Sequence, residues 1–142
     1  MIPSPPSNGL TTECSHSFHQ DWSPPASLLE ALCYDDDSIV DLIHIFSTDI
    51  DARIERMREA LAAANFPRIR AEAHTIKGSA GQVGADAVAE ACEEIEIVSD
   101  LDAALLIPAR LKRVQELFEE IRGAMASFAN GRKLGSQMKP MA

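Results

Sequence analysis

Between Ala26 and Phe128 the apolar residues recur every three or four positions, with polar residues filling the gaps. That spacing puts them on one stripe of a 3.6-residue helix. A short helix is predicted over Ala26–Tyr34, carrying Leu28, Leu29 and Leu32. Asp35–Ser38 ("DDDS") suits a helix start, because acidic and hydroxyl side chains cap free N–H groups and oppose the dipole. The second helix then runs to about Ala64 on the stripe Ile39, Leu42/Ile43, Phe46, Ile50, Ile54, Met57, Leu61. "ANFPR" breaks it: Asn65 can cap the next helix, and Pro67 is tolerated in a first turn. The third helix, about Pro67–Val83, carries Ile69, Ala73, Ile76, Ala80 and Val83, with Gly84 as its left-handed terminating residue. The fourth, Asp86–Ser99, turns Val88, Ala91/Cys92, Ile95 and Val98 inward, and "SDLD" makes a turn. The last carries Ile107, Leu111, Val114, Phe118, Ile121, Met125 and Phe128. Pro108 marks either its start or a kink, and Asn130 and Gly131 are expected to end it.

No strand-like alternation interrupts this pattern. The predicted fold is all-α, an antiparallel four-helix bundle with a short additional N-terminal helix. Residues 1–25, rich in Pro, Ser, Thr, Asn and Gly, are expected to form a disordered arm, with Phe18 and Trp22 available to pin part of it. The bundle spans residues 26–130, and a basic tail fills 131–142.

Composition narrows the function. A chain of 142 residues fits one domain able to bury a core without disulfides or metal. The net charge of -9 argues against reading nucleic-acid phosphates or docking on an anionic membrane. No apolar run approaches the ~20 residues of a membrane-spanning helix, and the N-terminus lacks the basic start and apolar run of a secretory signal. A cytoplasmic location is expected. Cys14, Cys33 and Cys92 are too few and scattered for a disulfide framework; Cys33 and Cys92 read as small core residues. Cys14, His16 and His19 crowd into "CSHSFHQD", but zinc sites usually take four ligands at recognisable spacing, so no metal is expected. His44 falls off the stripe and reads as a surface residue.

One stretch, "AHTIKGSAGQVGA", sets three glycines, Gly78, Gly81 and Gly84, beside His74. A helical glycine costs roughly 1 kcal/mol relative to alanine. With about 100° per residue and His74 at zero, the apolar stripe of the third helix lies at about 180–260°, so His74 faces away from the core. Gly78 falls at about 40°, Gly81 at about −20°, Arg70 at about −40° and Lys77 at about −60°. Two glycines therefore leave the imidazole on a bare surface, with positive charge beside it. A lone exposed histidine is usually a solvated residue without function. This combination instead suits a large partner pressed flat against the ring, with an anion involved. Histidine can attack a phosphoryl group through one ring nitrogen while the other carries the proton, and Lys77 could balance the phosphoryl charge.

The segment "AHTIKGSAGQVGADAVAEACEEIE", Ala73–Glu96, resembles the histidine-containing phosphotransfer (HPt) domains of two-component phosphorelays. Its A-H-x-[L/I]-K-G-[S/A]-A helix, [I/V]-G-A turn and terminal Ile-Glu pair carry the likeness. The resemblance implies that His74 accepts a phosphoryl group on Nε2 from a receiver-domain aspartate and passes it to another receiver. It implies that Lys77 stabilises that group, that Gly78 leaves room for the receiver, and that Ser79 has a supporting role. Arg70 and Gly81 fall on the same partner-facing surface. Glu96 matches the acidic or amide residue that, in several members, hydrogen-bonds the histidine Nδ1. On its own helix Glu96 lies about 80° from Val88, at the edge of the buried stripe, where an ordinary solvated glutamate is the other reading.

The implied partners are receiver domains of response regulators or hybrid histidine kinases. The receiver, not this chain, would supply the Mg²⁺, and no cofactor of its own is expected. No G-x-x-x-x-G-K-[ST] loop occurs, so self-phosphorylation from ATP is not expected. A monomer is expected, because one bundle face must stay open. The alternative function is an interaction bundle that binds a receiver or kinase without transfer; the presence of His74, Lys77 and Gly78 favours the carrier.

Overall fold

The computed structural model describes residues 21–138, with side chains through residue 131. Side-chain caps fix the starts of two of the helices. Helix α1 (Ala26–Ala31) is one and a half turns long. Helix α2 (Asp36–Ala62) starts at Asp35, whose carboxylate accepts from the Ser38 N–H at 2.9 Å and the Ser38 hydroxyl at 2.7 Å. Helix α3 (Phe66–Gln82) starts at Asn65, whose side chain accepts from the Arg68 N–H at 3.3 Å, with Pro67 in the first turn. Helix α4 (Asp86–Glu96) is three turns, and helix α5 (Ala103–Met138) is the longest.

Three helix ends share one hydrogen-bond pattern. After α3, the Gly84 N–H bonds Gly81 O and the Ala85 N–H returns to Ala80 O at 2.8 Å. Gly84 adopts φ +80° there, the left-handed turn that closes orphan carbonyls at a helix C-terminus. After α2 the same pattern uses Ala64 at φ 54°, with Asn65 N–H bonding Ala60 O at 2.8 Å. After α1 it uses Cys33 and Tyr34, at φ 55° and 57°.

Helices α2, α3, α4 and α5 form a closed ring, each packed on two neighbours, and the predicted stripes fill the space between them. Ile50, Met57, Ile69, Ile76, Ile95, Ile107 and Val114 are buried, and Phe46 meets Phe118 edge-on at 6.4 Å between ring centroids. Among the described residues there is no strand, and the fold is the all-α bundle that the periodicity predicts. Helix α1 buries no residue completely; Leu28, Leu29 and Leu32 pack against the rim of the core.

Several local expectations are corrected. Helix α4 ends at Glu96 rather than Ser99. Helix α5 begins at Ala103, with Pro108 inside it, and runs through Asn130 and Gly131 to Met138. Gly131 has no left-handed φ, and without that turn a helical glycine is only a weak point, not a stop. Cys33 is exposed, not a core residue, because the left-handed turn after the short α1 carries it away from the bundle.

The predicted arm lies mostly outside the described residues, as do Phe18 and the Cys14, His16, His19 group. Its described end packs on the bundle. The Trp22 indole N–H donates to Val83 O at 2.7 Å, and the ring meets Phe128 edge-on at 5.3 Å. Pro25 lies so close to Gly84 that a Cβ on the glycine would fall 2.9 Å from Pro25 Cγ.

Candidate functional site around His74

Close approach of α3 and α4 builds the site. Ala73, Ala80, Ala91 and Cys92 are buried, and side chains this small let two helix backbones come near each other. The last residue of α4, Glu96, thereby reaches the outer face of α3. Its Oε2 lies 2.7 Å from His74 Nδ1, and its Oε1 lies 2.7 Å from Lys77 Nζ. The second contact is an ion pair rather than an aligned hydrogen bond. Lys77 follows His74 by three positions, so both side chains leave the same side of the helix.

The three groups differ in exposure. The His74 side chain is 71% exposed, Lys77 34% and Glu96 20%. Burial alone would push the Glu96 carboxyl up, but Lys77 and His74 outweigh it and hold the group below its ordinary range. Contact with Glu96 raises the Lys77 ammonium, against a smaller opposing effect of burial. Glu96 is thus ionised near neutral pH and can only accept. The imidazole must place its proton on Nδ1 to satisfy the contact, which leaves the Nε2 lone pair on the exposed edge of the ring.

The glycines do what the wheel geometry predicts. A Cβ added at Gly78 or Gly81 would meet nothing within 4 Å. No packing inside the bundle requires either glycine. Ser79 is half-buried.

Arg70 differs from its predicted surroundings. Its guanidinium turns to the end of α4, donating to Val98 O at 3.1 Å and pairing with Asp100 at 2.9 Å. Its charge is thereby committed to the α4–α5 connection. Under the site, burial and then the Glu96 charge push the Cys92 thiol up to about 12, so it stays a neutral packing residue.

Sequence reasoning missed a second polar cluster. Glu72 is 6% exposed on the α2 side of α3, where Arg53 reaches Oε1 at 3.0 Å and Arg56 and Arg68 reach Oε2 at 2.9 and 3.2 Å. The only advance signal was Arg68 four residues before Glu72, a spacing common on solvated faces. Among the described residues, no group of His, Cys, Asp and Glu is arranged to hold a metal ion, and no helix is long and apolar enough to cross a membrane.

Comparison with curated proteins and with solved structures gives no match. The family model described as the Hpt domain matches residues 41–129, from the second turn of α2 through most of α5. The family is a helical phosphotransfer module of two-component signalling that works with receiver domains, and it is not a kinase domain. By a match over more than half its length, the chain belongs to the Hpt domain family.

Proposed function

We propose that this chain carries a phosphoryl group on His74 Nε2, taking it from the aspartyl phosphate of one receiver domain and delivering it to the aspartate of another. The observation that carries the reading is the 2.7 Å contact from His74 Nδ1 to Glu96 in a ring otherwise exposed. It holds the tautomer in which the outward nitrogen is the nucleophile. Positioning and charge neutralisation dominate phosphoryl transfer. Glu96 orients the ring, Lys77 stands within one turn to meet phosphoryl oxygens, and Gly78 and Gly81 admit the receiver. In this reading Mg²⁺ belongs to the receiver's own acidic residues, and the carrier works as a cytoplasmic monomer with the His74 face open.

The test is incubation with phosphorylated receivers from the same organism. Transfer of acid-labile label to the wild-type chain, and none to His74→Gln, is the expected result. Label persisting in His74→Gln would remove His74 from the role. Receiver binding with no label on the wild type would favour a pure interaction bundle.

A further inference from the structure

Glu96 serves two cations at once. One oxygen accepts from His74 Nδ1–H and the other holds the Lys77 ammonium, each at 2.7 Å. Arg70 on the same helix is already paired with Asp100, and Glu93 on α4 adds its field at Lys77. In the resting protein the Glu96 carboxylate is therefore shared, and Lys77 shields part of its charge from the imidazole.

Transfer changes what each group needs. The Nε2 lone pair forms the N–P bond, the P–O bond of the aspartyl phosphate breaks, and the aspartate carboxylate leaves with that electron pair. No proton moves: Nδ1 keeps its hydrogen, and the ring becomes a cation. The arriving group brings about two negative charges at neutral pH. While it remains against Glu96, Lys77 divides its single charge between that carboxylate and any phosphoryl oxygen it meets. If it moves to them, each anion faces a cation, and the full charge of Glu96 falls on the newly cationic ring.

We infer that Lys77 exchanges partners during transfer, resting on Glu96 beforehand and leaving it for the phosphoryl oxygens. Lys77 is then a positioning residue in the resting state, acting on His74 through Glu96, besides its contact with the phosphoryl group. The inference rests on the phosphotransfer proposed for His74. Reversal follows the same path: return of Lys77 to Glu96 withdraws charge from both the cationic ring and the departing phosphoryl group as the latter leaves for a receiver.

The experiment follows the His74 ring by ¹⁵N NMR titration in the full chain, comparing wild type, Lys77→Met, Glu96→Gln and the double variant. In the unphosphorylated protein, Glu96→Gln should lower the ring's midpoint and Lys77→Met should raise it. The Lys77→Met shift should shrink at least about twofold in the Glu96→Gln background, because the effect runs through the carboxylate. Equal shifts in both backgrounds would overturn the resting pair. The four proteins are then phosphorylated with phosphoramidate and the ring titrated again. Here the two substitutions should act additively, since Lys77 no longer touches Glu96; coupling that survives phosphorylation would overturn the exchange. Loss of receiver-dependent label on His74 would refute the exchange together with the proposed function, while the unphosphorylated titrations still decide the pair.

Discussion

Glu72 on α3 accepts from Arg56 on α2 at 2.9 Å, and this contact joins two helices through a carboxylate that is 6% exposed. Arg53 and Arg68 complete the enclosure. Burial pushes the Glu72 carboxyl up, while Arg56, Arg53 and Arg68 outweigh it and hold the group below its ordinary range. Because the folded value is depressed, the stability it contributes is present above the unfolded carboxylate range and is lost as pH falls through the folded value. Glu72→Gln should cost about 1–3 kcal/mol at neutral pH, since partly exposed arginines lose a buried partner. The difference from wild type should narrow below about pH 4. Urea unfolding at both pH values checks this; a constant difference would show that the charge is unimportant.

The left-handed turns after α2 and α3 make opposite forecasts. Ala64 holds φ 54°, a conformation that costs an L-residue roughly 1–2 kcal/mol. Ala64→Gly should stabilise the chain by about 0.5–1 kcal/mol, the relief being partly offset by glycine's entropy. Gly84→Ala should destabilise by at least about 1–2 kcal/mol, because it adds the same strain and brings a Cβ within 2.9 Å of Pro25. Thermal melts of the two variants should move in opposite directions.

Gly78 and Gly81 should behave differently from Gly84. With open space at both positions, Gly78→Ala and Gly81→Ala should each stabilise by about 0.5–1 kcal/mol through helix propensity. Gly78→Gln should leave the fold intact yet reduce transfer from a phosphorylated receiver at least about tenfold, a barrier increase near 1.4 kcal/mol. A raised melting temperature with unchanged transfer would separate the glycine from docking.

Trp22 is the chain's single tryptophan, so its fluorescence reports the strap from the end of α3 to Phe128 of α5. Trp22→Ala removes the hydrogen bond to Val83 O and the edge contact with Phe128. A loss of about 2 kcal/mol is expected for this half-buried ring, less than the 3–5 typical of a core aromatic. Trp22→Phe should recover part of it. In the wild type, strap release and global unfolding should coincide when fluorescence and circular dichroism are compared; an earlier fluorescence transition would mean that the strap opens independently.

Much of the architecture was written in local periodicity. The stripes from Ile39 to Met125 mark the buried faces because burial follows the angular position of a residue on its own helix. For the same reason His74, Gly78 and Gly81 could be placed together on an outward face without reference to any other helix. Asp35, Asn65 and Gly84 announced their boundaries because capping acts over three or four residues. Gly131 misled, since a glycine only permits the left-handed turn that stops a helix, and α5 continues in regular backbone.

What lies between helices was decided by tertiary structure. Lys77 looked like a free cation beside His74, but the offset between α3 and α4 places Glu96 against both. Arg70 looked like part of the same positive surface, yet the turn after α4 presents Val98 O and Asp100 to it. Glu72 drew no reading from the sequence, and only the packing of α2 brings Arg53 and Arg56 over it. Periodicity states which way a side chain leaves its own helix. How far along a neighbouring helix its partner stands depends on interhelical distance and register, which the packing of the whole core determines.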